Sequence, residues 1–462
     1  MKYYEDLIAN TGANDLINFL YSTIEEYKSS TLYTEAVTAH EYFKKHNVTI
    51  SQYRKLLYKV TGEAEVDNYS ANYKFCNGFF PIFVKQENSF LLGNGVTFNN
   101  KATKDKLGGD DFDSVIYAAG EYALWGIVSF LFFNLDHVDV FKSTEFVPLF
   151  SAEDGALHAG IRFWQVASDK PLRATLYEED GYTQYIWREG AEGEVFAEKQ
   201  AYKVKYKQSV ADGTEIYAGE NYPAFPIVPL WANREHQSEL TGLREKIDGY
   251  DLIQSGLCNT IDDASLIYWT LQNSSGMDEV SLAEFLDQIK RVKAAVLDED
   301  GAKAEAHTLE VPYQATQVAL NDLRDSLYRD AMALDTDKLS AGNVTATAIE
   351  SAYENLELKC DGYEFCVTEA IKGLLELIQV EDSPTYHRRK TTNQPEVTNM
   401  VLAAAQYLDD ETILKHLPFL NIDEIEEILK RKDKEEAERF TNAPDEETEE
   451  GQTEDEGIEQ ED

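Results

Sequence analysis

Carboxylates are the reactive side chains this sequence has in excess: 85 Asp and Glu stand against 42 Lys and Arg in 462 residues, a formal charge of −43. Two carboxylates at a set separation could hydrolyse a glycosidic bond, and the middle of the chain mixes acids with aromatics as sugar clefts do. Spacing along a sequence does not give that separation. The sharper catalytic signatures are missing. There is no GxxxxGKS or GxxxxGKT phosphate loop, no HExxH, no GxSxG and no Rossmann glycine pattern. The eight histidines are scattered, without a pair at metal-ligand spacing. Cys76, Cys258, Cys360 and Cys366 make no CxxC pair and describe no disulfide framework, so they read as buried free thiols. No catalytic residue, metal or cofactor is expected.

The elements that would position such side chains follow from size and periodicity. A chain of 462 residues can bury a large core and suggests two to four domains. The richest apolar stretch, Tyr122 to Asn134, is shorter than the roughly 18 residues of a membrane span and reads as a buried strand or core helix. The opening MKYYEDLIAN puts acids where a signal peptide needs basic and then apolar residues, which predicts an intracellular product. Residues 1 to about 60 read as helical, with Leu7, Ile8, Leu16, Ile17, Leu20 and Ile24 at helical spacing. The stretch PIFVKQENSFLLGNGVTF reads as two short extended runs joined by Gly and Asn turns. Residues 135–230 alternate as strands do, with Asp180-Gly181 as a hairpin turn.

Beyond Pro229 the pattern changes to a three-four spacing. Leu240, Leu243, Ile247, Tyr250, Leu257, Ile261 and Ala264 predict one long helix from Glu239 to about residue 268. A short helix near Leu282 to Val292 and strands at AAVLDED and AHTLEVP follow, then a second helix at about Tyr313 to Leu334. After the linker DTDKLSAGNVTA a third long helix begins, with Thr347 and Glu350 in capping-box spacing. Gly362 and Gly373 lie inside it, each costing about 1 kcal/mol against alanine, and are expected to permit a bend. From Thr441 to Asp462 eleven acids and no base predict a solvated, disordered tail, and the body without it still carries −32. So acidic a body is poorly suited to gripping DNA or RNA, which takes Lys and Arg to displace counterions from phosphates. It suits a surface that DNA passes without sticking. The fold class expected is α+β, without internal repeats.

Several segments carry more than periodicity. FLLGNGVTF, EYALWGIVSFLFFN and FVPLFSAEDGALHAGIRFWQV follow one another in the first half. In FPIVPLWANREHQSELTGLREKIDGYDLIQSGLCNTIDD a proline-bounded apolar strand leads through an Asn turn into a helix marked by Glu239, Asp248, Tyr250, Ser255 and Asn259. KLSAGNVTATAIESAYENLELKCDGYE and NQPEVTNMVLAAAQYLDDETILKHLPFLNIDEIEEILKR come later. Each is mostly apolar spacing with a few polar marks. Their co-linear order resembles the phage portal family, in its siphophage-like branch of head-to-tail connectors, over nearly the whole chain.

The resemblance implies a portal fold. Residues 1–60 would be a helical part of the wing, 61–235 the α/β wing, 236–271 the first stem helix and 272–311 the clip. Residues 312–334 would be the second stem helix and 335–345 the tunnel loop. A long helix and a return strand of the wing would fill 346–394, a helical crown 395–440, and the acidic tail 441–462. Family members form dodecameric rings at one capsid vertex, through which double-stranded DNA is packaged and ejected. The implied product is a virion component made in the bacterial host cytoplasm, and not an enzyme. Its partners would be other copies of itself, the major capsid protein, the terminase large subunit and head-completion or adaptor proteins. A scaffolding protein is a further candidate. DNA would pass without tight or sequence-specific binding, and no membrane is involved.

Site residues are implied by position. Asp335, Asp337, Lys338, Ser340 and Asn343 would stand at the tunnel-loop constriction. Met277, Asp278, Glu279, Asp298, Glu299 and Asp300 of the clip would meet terminase and adaptor. On the stem, Asp248, Asp251, Asp262, Asp263, Asp322 and Asp325 would face the lumen, sit between subunits, or belong to an ordinary solvated face. A lumen carboxylate repeated around a ring repels phosphates within a Debye length, about 8 Å at physiological salt. The basic run His387, Arg388, Arg389 and Lys390 would meet DNA or an acidic neighbour, or pair with local carboxylates at a strand edge. The rival classes are another virion structural or scaffolding protein, a DNA mimic, and a carboxylate-based hydrolase.

Overall fold

The helical spacing near the N-terminus is realised as four helices: α1 (Tyr4–Ala9), α2 (Ala13–Lys28), α3 (Thr31–Phe43) and α4 (Val48–Gln52). Ser30 caps α3 by accepting from the Tyr33 amide, and Asn47 caps α4 by accepting from Thr49 and Ile50. The computed structural model describes residues 2–10, 12–58, 62–68, 70–188, 192–209, 215–264, 268–272, 303–307, 311–340, 346–388, 394–417, 425, 428–432 and 434. The chain divides into two units, Met1–Ser340 with Ala352–Arg389, and Ala341–Ser351 with Lys390–Asp462.

In the first unit a short hairpin of β1 (Leu56–Tyr58) and β2 (Ala64–Val66) precedes α5 (Phe79–Leu92), β3 (Val96–Phe98), α6 (Lys101–Asp105) and α7 (Asp111–Gly126). The run expected as two extended pieces is therefore mostly the helix α5. Phe79, Phe80, Phe83, Val84, Glu87, Asn88, Phe90, Leu91 and Leu92 are all buried in it. A helix covered on most sides shows no amphipathic stripe, so its period is invisible to pattern reading. Pro81 sits in its first turn, where no amide needs an intrahelical partner.

Strand β4 (Val128–Asn134) lies between β13 (Ile227–Trp231) and β5 (His137–Lys142) in an antiparallel sheet, under α7. Its first six residues are buried on both faces, which explains the unbroken apolar run. Strands β6 (Phe146–Phe150), β7 (Leu157–Trp164), β8 (Leu172–Glu178), β9 (Gly181–Trp187) and β10 (Glu194–Gln200) form a five-stranded antiparallel meander. Ile17, Leu20, Ile24 and Tyr27 of α2 pack on its inward residues, among them Val147, Ile161, Leu176 and Trp187. Glu178 pairs with Gly181, so the β8–β9 turn is Glu179-Asp180, one residue earlier than expected. Gly181 (φ +139) is needed for a different reason: a Cβ there would collide with the Gln200 carbonyl of β10. Strands β11 (Lys203–Ser209) and β12 (Glu215–Glu220) make a separate ribbon.

Beyond β13, turns occupy 238–243 and the first long helix is α8 (Arg244–Ala264), shorter at both ends than the spacing suggests. Residues 268–271, expected inside it, belong instead to β14 (Tyr268–Gln272), which pairs antiparallel with β15 (Lys303–His307). The expected helix near 282–292 and strand at 294–300 lie outside the described residues. Next come α9 (Tyr313–Asp330), α10 (Thr336–Ser340) and α11 (Ala346–Leu377). The expected linker thus begins as a helical turn. Gly373 permits a close contact, since a Cβ there would lie 2.8 Å from Val228 Cγ1 of β13. Strand β16 (Pro384–Tyr386) returns to pair with β3.

The second unit holds α12 (Gln394–Ala404), a 3-10 turn at Ala405–Tyr407 and α13 (Asp410–His416). Asp409 caps α13 through the Thr412 amide, and Lys432 pairs with Asp410. Among the described residues no helix is long and apolar enough to cross a membrane. Cys360 and Cys366 are buried and Cys76 and Cys258 half-buried, all as free thiols.

Candidate functional site: the two paired helices and their buried root

Helices α8 and α9 run together from one root. Lys246 of α8 donates to Ser326 Oγ at 2.8 Å and pairs with Asp330 of α9. From α5 the Phe79 ring meets Tyr250 edge-on at 4.9 Å, and the Phe83 ring meets Tyr328 edge-on at 5.3 Å. One face of α5 thereby supplies the apolar socket for both long helices.

The polar face of α8 is occupied within the protomer. Asp251, Ser255 and Asn259 stand four residues apart and accept in turn from the backbone amides of Asn77 (3.1 Å), Phe75 (3.0 Å) and Tyr73 (2.7 Å). An extended chain repeats its amide direction about every 6.7 Å, and four helical residues rise about 6.0 Å, so the two ladders nearly coincide. Asp251 also accepts from Asn77 Nδ2 at 2.6 Å and from Asn47 Nδ2 at 2.8 Å. Burial pushes its carboxyl up, while the bonds from Asn77 and Asn47 pull it down. Asp248 accepts from the Tyr42 hydroxyl and lies 4.0 Å from the Arg244 guanidinium. The expectation that Asp251 faces a lumen or a neighbouring subunit is thereby corrected: it is 0% exposed, and its oxygens are used by Asn47 and Asn77. Replacing Asp251 by alanine strands those buried donors and is expected to cost about 3 kcal/mol. Urea midpoints of the purified chain measure this, and an unchanged midpoint would show that the ladder contributes nothing.

Deeper in the root, Lys359 of α11 joins three other parts of the unit. Its ammonium lies 2.6 Å from Glu239 Oε2, just ahead of α8, and 2.8 Å from Glu87 Oε2 on α5. It also donates to the Ala331 carbonyl at the end of α9, at 3.2 Å. Asn233 Nδ2 donates to Glu239 at 3.2 Å, which ties in the turn after β13. Burial, helped by the charge of Glu239, pushes Glu87 up to about 8. Burial alone would lower Lys359, but the two carboxylates outweigh it and hold the ammonium above the ordinary lysine value.

The other expected site residues divide into those folded onto α9 and those left outward. Asp335 is half-buried, accepting from Arg324 Nη2 at 2.9 Å and from the Asp337 amide at 3.2 Å. Asp337 meets the same guanidinium, and Lys338 pairs with Asp325 at 2.8 Å. Asp262 and Asp322 are exposed. Ser340 lies in α10, though its side chain, that of Asp263, and residue Asn343 are outside the described residues. So are Met277, Asp278, Glu279, Asp298, Glu299 and Asp300. In the basic run, Arg388 pairs with Asp361 and with Glu364 (2.7 Å) on α11, the local-carboxylate reading. The His387 carbonyl accepts from Asn94 Nδ2, while Arg389 and Lys390 are not described. Among the described residues no group of three His, Cys, Asp or Glu could hold a metal ion.

Pattern reading passed over Gln86, Glu87 and Lys359. A signal was present: Lys85 to Ser89 are five consecutive polar residues inside FFPIFVKQENSFLL, where a solvated face would have recurred at helical spacing.

The profile of the family described as "Phage portal protein, SPP1 Gp6-like" matches residues 24–438. The chain is 27% identical over 273 residues to a "Portal protein" of Clostridium phage phiCD119, covering 53% of this chain and 59% of that one. It is 24% identical over 334 residues to the "Portal protein" of Bacillus phage SPP1, covering 68% of this chain and 63% of that one. The match thus spans less than two thirds of the length of either relative. Among solved structures, a chain from the neck of an empty GTA particle, computed with C6 symmetry, aligns with a TM-score of 0.44 at 10% identity, over 73% of this chain and 88% of that one. With the family profile running almost from end to end, the chain belongs to the SPP1 Gp6-like family of phage portal proteins.

Proposed function

We propose that this chain is one subunit of a twelve-membered ring at a single vertex of a phage capsid, a non-enzymatic conduit through which double-stranded DNA enters and leaves. The family match over residues 24–438 carries this reading. On it, α8 and α9 are the stem, and the segment 272–311 reached through the β14–β15 ribbon is the clip, which docks terminase and later head-completion proteins. Residues 335–345 are the tunnel loop, the α/β elements with α1–α7 the wing among capsid subunits, and residues 395–440 the crown. The product is a virion component made in the host cytoplasm.

The electrostatics support a channel that does not hold its cargo. Asp262 and Asp322 are exposed on the stem helices. Repeated around an axis, each becomes a ring of charge felt by phosphates within about 8 Å at physiological salt.

The test is the solution mass of the purified chain by light scattering, with negative-stain images of the same sample. Rings of about 0.6 MDa with a central hole are expected from twelve copies of 52.4 kDa. A monomer or dimer at high concentration, even in the presence of capsid protein, would overturn the ring. Deleting residues 335–345 is expected to spare ring mass while impairing packaging or retention of DNA. Normal packaging by that deletion would remove the loop from the mechanism.

A further inference from the structure

We infer that Gln86, Glu87 and Asn88 of α5 are positioning residues that hold the base of the 335–345 segment from the wing side. Calling that segment a tunnel loop rests on the portal reading; the positioning itself does not.

Helix α9 ends in a conformation that leaves backbone groups to be satisfied. Met332 is left-handed (φ +52), and the Ala333 amide reaches back to the Tyr328 carbonyl at 3.0 Å. The next groups find no partner along the chain, and α5 supplies them. Gln86 Oε1 accepts from the Leu334 amide at 3.0 Å, and Gln86 Nε2 donates to the Leu334 carbonyl at 2.7 Å. One side-chain amide thus closes both backbone groups of the residue that precedes Asp335, as a strand partner would. Glu87 reaches Lys359, whose ammonium takes the Ala331 carbonyl. Asn88 accepts from the Tyr363 hydroxyl at 3.0 Å and donates to the Tyr117 carbonyl of α7 at 2.8 Å.

Three consecutive α5 residues therefore reach the end of α9, the helix α11 and α7. On the far side, Arg324 and Asp325 hold Asp335, Asp337 and Lys338 against α9. The start of the segment is clamped between its own helix and α5. Gln86 is the one of the trio that bonds the backbone of Leu334, the residue next to the segment, so its removal isolates the effect.

The test is hydrogen exchange by mass spectrometry on the full-length chain, Gln86→Ala against wild type. Amides of 333–338 are expected to exchange about tenfold to a hundredfold faster, the loss of two net hydrogen bonds. Amides of β8 and of α11 around Tyr363 should keep their rates. Leu149→Ala, in the meander core, is the control for general destabilisation and is expected to leave 333–338 slower than in Gln86→Ala at matched melting temperature. Unchanged rates at 333–338, or acceleration spread evenly through the first unit, would overturn the assignment. The ring mass of the same sample reports separately on the portal reading.

Discussion

Replacing Lys359 by methionine is expected to destabilise the first unit by about 4 kcal/mol, because it removes the cation that bridges the buried Glu87 and the half-buried Glu239. The stem of methionine roughly fills the space of the lysine chain, so the loss is one of charge rather than volume. Adding Glu87→Gln and Glu239→Gln to the same chain should recover more than half of the loss, since no buried charge then remains to be compensated. The pH dependence carries an independent sign. Glu87 is held protonated to about 8 in the folded state, whereas an unfolded glutamate ionises near 4.5. The unfolded chain therefore releases its proton first, and the contribution of Glu87 is most favourable below 4.5 and is lost as pH climbs to about 8. Without the Lys359 charge Glu87 becomes still harder to ionise, so the methionine variant should lose stability more steeply over that interval and be rescued by acid. Urea midpoints at pH 5.5 and 8.5 measure both effects. A Lys359→Met variant with the wild-type midpoint at both pH values would show that the ammonium is dispensable.

Residue types made some of this architecture legible and hid the rest for definable reasons. Helices α9 and α11 each have one buried stripe and one wet face, and α8 keeps an apolar repeat although its polar face is occupied, so three-four spacing finds all three. In the meander β6 and β8 are buried on both faces, one against α2 and the other against the main core, so alternation marks these strands only in part. Helix α5 escapes because it is buried on most sides, and its Gln86-Glu87-Asn88 trio looks like a turn when solvent is assumed to be the partner of polar groups. Asp251 fails in the same way. Its position off the apolar stripe of α8 suggests water, but its partners are the backbone and side chain of Asn77, 174 residues earlier. The polar marks that carried the family resemblance turn out to be joinery. Glu239 serves Lys359, Tyr250 the Phe79 ring, and Ser255 and Asn259 the amides of Phe75 and Tyr73. Such contacts depend on which distant segment arrives, which no local pattern encodes.

Gly120 offers a prediction in which local propensity and packing disagree in sign. It lies inside α7, where exchanging glycine for alanine ordinarily gains about 1 kcal/mol of helix stability. Here the opposite is expected. A Cβ on residue 120 would run into the Tyr363 hydroxyl and Asn88 Oδ1, the two atoms of a buried 3.0 Å hydrogen bond, with Leu92 Cδ1 only 3.0 Å away. None of the three can step aside easily. Tyr363 is 2% exposed, and Asn88 is held by its bond to the Tyr117 carbonyl. Gly120→Ala should therefore destabilise by about 3 kcal/mol from overpacking and the lost bond, and Gly120→Val by more. The contact itself can be isolated by a cycle. In a Tyr363→Phe background the hydroxyl that meets the new methyl is gone, so Gly120→Ala should cost at least about 1 kcal/mol less than in wild type. Melting and urea titration of the four chains give the coupling. A stabilising Gly120→Ala would mean that α5, α7 and α11 do not cross as closely as the glycine permits, and additive effects would mean that the tyrosine hydroxyl is not what the methyl meets.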